Sequence, residues 1–153
     1  MTNNYNKKKI LLIEDNIGDI KLIEEAIKAN RLNVELSVLD DGEKAHQYYR
    51  NIMKTDYEDL PDLIICDLNL PRFKGDEIIK LYKSHPILKS IPLIVLTTSN
   101  LDLDINTCYQ YGANAYLIKP LDVLDFFDMI KQVYRFWFEL AEMSIPTAEK
   151  TTS

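Results

Sequence analysis

Apolar residues along this chain fall into two kinds of segment. Short unbroken runs stand at 10–13, Leu63–Cys66, 93–96 and Ala115–Ile118, with a weaker one at Val34–Leu39. Unbroken runs are the pattern of strands buried on both faces, whereas half-exposed strands alternate. Between the runs the spacing turns helical. Ile20, Ile23 and Ile27 form one stripe, with Glu24 and Lys28 as an i,i+4 pair beside it. Ala45, Tyr48, Tyr49 and Ile52 form a second stripe, and Ile78, Ile79 and Tyr82 a third. A fainter fourth helix is predicted over 101–111, stopped by Gly112 as its C′ residue, and a fifth over 121–140. Asp40-Asp41-Gly42, Pro71 with Gly75, and His85-Pro86 mark turns. Strand and helix thus alternate through the chain, which predicts an α/β domain around a mostly parallel sheet.

The 153 residues suit one domain. With 46% hydrophobic and 27% charged residues the composition is that of a folded globular chain. A net charge of -6 argues against a nucleic-acid surface, which needs a basic face. Two cysteines, Cys66 and Cys108, are too few for a disulfide scaffold or a four-cysteine zinc site. They read as reduced thiols, Cys66 as a small buried hydrophobe. No apolar run approaches bilayer length, and Lys7-Lys8-Lys9 alone makes no membrane anchor. A cytoplasmic protein with no nucleic-acid or membrane partner is expected. His46 and His85 are expected at the surface, with no catalytic arrangement around either.

The residues after each run carry the chemistry. Glu14-Asp15 follow the first, Asp67 the third, Thr97-Thr98-Ser99 the fourth and Lys119-Pro120 the last. In a parallel sheet the carboxyl ends of the strands share one edge, where α/β proteins place their sites. Carboxylates gathered there repel unless a cation neutralises them. An all-oxygen set with open positions suits Mg²⁺, which keeps waters and accepts a phosphate oxygen. A carboxylate is also a nucleophile toward phosphorus, and hydroxyl and amine groups such as Thr97 and Lys119 can contact phosphoryl oxygens.

Glu14-Asp15, Cys66-Asp67-Leu68-Asn69-Leu70-Pro71, Leu96-Thr97-Thr98-Ser99 and Tyr116-Leu117-Ile118-Lys119-Pro120 resemble, in order and spacing, the receiver domain of two-component response regulators. The resemblance covers about residues 8–138. It implies a flavodoxin-like (βα)5 three-layer sandwich with a five-stranded parallel sheet in the order 2-1-3-4-5. It implies that Asp67 accepts a phosphoryl group from a histidine kinase or phosphotransfer protein. Mg²⁺ would be held by Glu14, Asp15, Asp67 and the backbone carbonyl of Asn69. Thr97 and Lys119 would sense the phosphoryl group, Tyr116 would be the aromatic switch, and the Lys119–Pro120 peptide would be cis. Asp15-Asn16-Ile17-Gly18-Asp19, Asn69-Leu70-Pro71-Arg72 and Phe136-Trp137-Phe138 with Pro146 further resemble the small regulators that partner bacterial phytochrome kinases.

On this reading residues 1–141 form a single receiver domain and 142–153 a tail, with no output domain. Output would then be a protein contact or a phosphorelay. An aspartyl-phosphate phosphatase is the enzyme alternative, but such enzymes want a second Asp where Asn69 stands; an interaction module with an unused pocket is the third reading. The last helix shows two stripes, Phe126-Ile130-Val133-Trp137 and Phe127-Tyr134-Phe138-Ala141. One stripe covers the sheet, and the second needs another neighbour. Homodimerisation through the fourth and fifth helices and last strand is expected, with a covering tail around Ile145-Pro146 as the alternative.

Overall fold

A computed structural model describes residues 7–52, 54 and 59–144. Five strands, β1 (Lys8–Ile13), β2 (Val34–Leu39), β3 (Leu63–Cys66), β4 (Leu93–Thr97) and β5 (Ala115–Ile118), form one sheet in the order β2-β1-β3-β4-β5. Every pairing is parallel, with Ile13 opposite Cys66, Cys66 opposite Val95 and Thr97 opposite Ile118. The helices are α1 (Ile17–Ala29), α2 (Gly42–Ile52), α3 (Gly75–Ser84), α4 (Asp102–Gln110) and α5 (Val123–Arg135). This is the flavodoxin-like arrangement with helices on both faces.

Alternation along each central strand feeds two separate cores. Leu11, Ile13, Ile64, Cys66, Leu93 and Val95 pack on Ala45, Ile78, Ile79, Tyr82 and Cys108 from α2, α3 and α4. Their neighbours Ile10, Leu12, Leu63, Ile65, Ile94 and Leu96 pack on Ile23, Ala26, Phe126, Ile130 and Val133 from α1 and α5. A strand wedged between two helical layers has no polar face, so β1, β3 and β4 read as unbroken runs.

The run at β5 misleads. Its residues are half-buried and Ile118 is 46% exposed, because β5 is an edge strand. Gly112 has φ 107° after α4, the left-handed C′ position that its place in sequence predicts. His85, expected at the surface, is instead buried: its Nδ1 accepts hydrogen bonds from the amides of Ile87 and Leu88 at 3.0 and 3.1 Å. Burial lowers its pKa, as it must for a ring that serves as an acceptor.

The last helix continues through a π-helical turn, Phe136–Leu140. Much of its second stripe is covered from within the chain. Phe127 and Phe138 are half-buried against the α1–α5 core, the Asn30 side chain donates to the Phe127 carbonyl, and Lys8 lies 5.8 Å over the Phe138 ring. Phe136 stays exposed and lines a groove of about 400 Å³ with Ala115, Leu117, Met129, Val133 and Trp137, and Leu140 is exposed at the end of the π-helical turn. Ile145 and Pro146, the alternative cover, lie outside the described residues.

Candidate functional site at the carboxyl edge of the sheet

The parallel register carries the ends of β1, β3, β4 and β5 to one edge. Glu14 leaves β1 with its amide bonded to the Leu39 carbonyl, and Asp67 leaves β3 with its amide bonded to the Ile13 carbonyl. One carboxylate oxygen from each of Glu14, Asp15 and Asp67 lies within 4.8 Å of the others, the one acidic cluster of this kind among the described residues. Glu14 is 1% and Asp67 5% exposed, while Asp15 reaches solvent. Asp67 Oδ1 accepts from the Leu68 amide at 2.8 Å, which fixes the carboxylate plane.

Lys119 enters from the end of β5, where its amide donates to the Thr97 carbonyl at 2.7 Å. Its Nζ lies 2.8 Å from Glu14, 2.8 Å from Asp19 and 3.6 Å from Asp67. Burial works to lower the lysine pKa, but the hydrogen bonds to Asp19 and Glu14 and the charge of Asp67 raise it, so the ammonium persists. Glu14 is instead shifted toward its neutral form. Burial and the neighbouring Asp67 charge push its carboxyl up to about 7, even with the Lys119 hydrogen bond pulling it down. One ammonium cannot neutralise this many carboxylates in so dry a place. Oxygen donors, an excess of negative charge and a solvent-facing side fit a hard divalent cation, and they fit Mg²⁺.

The other sequence-predicted residues stand on β4, on β5 and in the connection after β3. Thr97 is fully buried at the end of β4, its hydroxyl oxygen 3.5 Å from the Ser99 amide that donates to it. Tyr116 donates its hydroxyl proton to the Ser99 carbonyl at 2.9 Å, so Thr97 and Tyr116 meet on one turn. The Ser99 hydroxyl in turn donates to Asp104 at the start of α4. Asn69 is exposed in the connection between β3 and α3, lining a cleft of about 320 Å³ with Leu68, Lys74 and Leu103.

The family profile described as response regulator receiver domain matches residues 10–131. The chain belongs to this family. Receiver domains are signalling domains whose general function is phosphorylation on an aspartate with Mg²⁺. The chain is 36% identical over 141 residues to the response regulator Rcp1 of Synechocystis sp., covering 92% of this chain and 95% of that protein. Among solved structures, the phosphorylated cyanobacterial phytochrome response regulator RcpA superposes with a TM-score of 0.80 at 38% identity. It covers 90% of this chain, which in turn covers 99% of RcpA. The Mn²⁺-bound form of Rcp1 gives a TM-score of 0.78 at 36% identity with the same coverage.

Three features of this receiver domain depart from the sequence reading. The Lys119–Pro120 peptide is trans, not cis; before proline, trans is the lower form by about 0.5–1 kcal/mol. Asp19 emerges as a partner of Lys119, although nothing in its spacing distinguished it from an ordinary first-turn acid of α1. Gly75 supports the site rather than merely turning the chain. A Cβ there would stand 2.2 Å from the Asp67 carbonyl oxygen and 2.6 Å from Leu68 Cα. The thiol of Cys66, next to Asp67, is fully buried and pushed well up by that burial, which suits an inert packing residue.

Proposed function

We propose that this chain is a phosphorylation-driven protein switch in which Asp67 is the phosphoacceptor. The observation that carries the reading is the meeting of Glu14, Asp15 and Asp67 within 4.8 Å, with the Lys119 ammonium 3.6 Å from Asp67. An Asp67 carboxylate oxygen attacks the phosphorus of a kinase phosphohistidine, the P–N bond breaks, and the imidazole leaves. Glu14, Asp15, Asp67 and the Asn69 carbonyl would hold Mg²⁺, which when bound supplies positive charge to the phosphoryl oxygens. Thr97 and Lys119 contact those oxygens from the β4 and β5 side. A phosphoryl group adds about -1.5 to -2 charges at neutral pH. Thr97 meeting it draws on the turn that Tyr116 also holds through Ser99, so the change passes to the α4–β5 surface.

The switch acts through protein contacts of its receiver domain, and assists only its own phosphorylation and dephosphorylation. A cytoplasmic location follows from that role; no described helix is long and apolar enough to cross a membrane. The likeness to RcpA supports a phytochrome-type histidine kinase as donor. Exposed Phe136 on the β5–α5 groove, with Leu140 exposed at the end of the same helix, supports a homodimer through α4, β5 and α5. Sedimentation at high micromolar concentration, with and without a phosphoryl mimic, tests it: a monomer under both conditions overturns the dimer.

The acceptor assignment is tested with acetyl phosphate and Mg²⁺ on a phosphate-affinity gel. A retarded band is expected that disappears with chelator and in Asp67→Asn. Normal labelling of that variant refutes the assignment.

A further inference from the structure

The ammonium that the phosphoryl group needs is already engaged. Lys119 Nζ is 2.8 Å from both Glu14 and Asp19 but 3.6 Å from Asp67. Asp19 differs in kind from Glu14. It stands outside the cluster formed by Glu14, Asp15 and Asp67, so it is no part of the candidate metal set. It sits on the first turn of α1, where its amide donates to the Asn16 side chain at 3.0 Å and the helix N-terminus favours its charge. Asp19 is therefore held by α1 while Lys119 is carried by β5, and their ion pair ties the two elements across the site. When Glu14 is taken up by a cation, Asp19 is the carboxylate left holding the lysine.

We propose that Asp19 is a positioning residue that restrains Lys119 in the unphosphorylated state, so that its pull on the ammonium opposes the lysine's move onto a phosphoryl group at Asp67. The proposal rests on the reading of Asp67 as acceptor and Lys119 as phosphoryl contact. An ammonium has three donors, and two are engaged by Glu14 and Asp19 in the resting protein. The Asp19 bond must lengthen or break as the ammonium shifts toward the phosphoryl oxygens. Strengthening or weakening that bond sets the fraction of molecules that switch at a given level of phosphorylation.

The test is the affinity of the full chain for beryllofluoride, a phosphoryl mimic, at saturating Mg²⁺, for wild type, Asp19→Asn, Asp19→Glu and Glu24→Gln. With one partner a third exposed, losing the charge of the pair corresponds to roughly a twofold to fivefold change in an equilibrium. Asp19→Asn should bind the mimic tighter by that factor. Asp19→Glu, which keeps the charge, and Glu24→Gln, which removes an exposed charge from the same helix, should bind it as wild type does. In the unliganded Asp19→Asn protein the Lys119 Nζ resonance should move toward its mimic-bound position, a response that a merely structural role would not give. Equal or weaker mimic binding by Asp19→Asn, a matching gain in Glu24→Gln, or an unmoved Lys119 resonance overturns the proposal. Absence of mimic binding by wild type would instead overturn the receiver-site reading itself, and the restraint with it.

Discussion

Replacing Glu14 by glutamine should stabilise the metal-free protein while weakening its hold on Mg²⁺. Glu14 is 1% exposed and shares one ammonium with Asp67 and Asp19. Its carboxyl is carried from an ordinary 4.5 up to about 7 by burial first and by Asp67 second. At about 1.4 kcal/mol per tenfold change in proton affinity, ionised Glu14 destabilises the fold by about 3 kcal/mol. The sign follows from proton counting. Between pH 4.5 and 7 the folded chain keeps a proton that the unfolded chain has lost, so stability falls as pH rises through that window and stays low above it. In chelator, wild type should therefore melt higher at pH 5 than at pH 8. Glu14→Gln should lack this fall and exceed wild type at pH 8 by about 6–12 °C, taking roughly 2–4 °C per kcal/mol at this size. His85, whose pKa is lowered, acts in the opposite sense and is common to both proteins, so their difference isolates Glu14. Adding Mg²⁺ at pH 8 should raise the wild-type melting temperature and barely move the variant, because ligation stabilises only the state that binds. A Glu14→Gln protein that melts below wild type in chelator at pH 8 would show that the Lys119 pair outweighs burial, and would refute the reasoning.

Gly75→Ala should destabilise by about 1–3 kcal/mol in urea titration and slow labelling by acetyl phosphate, since the new Cβ meets the Asp67 carbonyl oxygen at 2.2 Å. His85→Leu should cost about 1–3 kcal/mol, measured the same way, because the amides of Ile87 and Leu88 lose a buried acceptor. Neither thiol should react with a disulfide reagent in the native protein, and both should react in urea, because Cys66 and Cys108 are buried with raised pKa values. Fast native reaction of either thiol would contradict the packing.

Legibility followed burial and strand register. The central strands were plain because both their faces meet helices, so no polar residue interrupts them. Glu14, Asp15, Asp67, Thr97 and Lys119 were conspicuous because each interrupts or closes such a run, and parallel pairing leaves their positions at one edge. The edge character of β5 was hidden, since an apolar run looks alike whether one face or two are covered. His85 was misplaced because a polar ring next to proline reads as surface, whereas the turn it serves needed an acceptor in the core.

The chain by itself determined the order of strands and helices, the parallel sheet and the residue types that gather at its carboxyl edge. Those properties depend on local periodicity and on which positions end each run. Tertiary structure alone decided that Asp19, 100 residues before Lys119 in sequence, holds the same ammonium as Glu14. It also decided that Gly75 lies against the Asp67 backbone, that α1 shields part of the second stripe of α5, and that Glu14 ionises near neutrality. Such properties arise from distances and dehydration between segments far apart in the chain, and no periodicity within one segment records them.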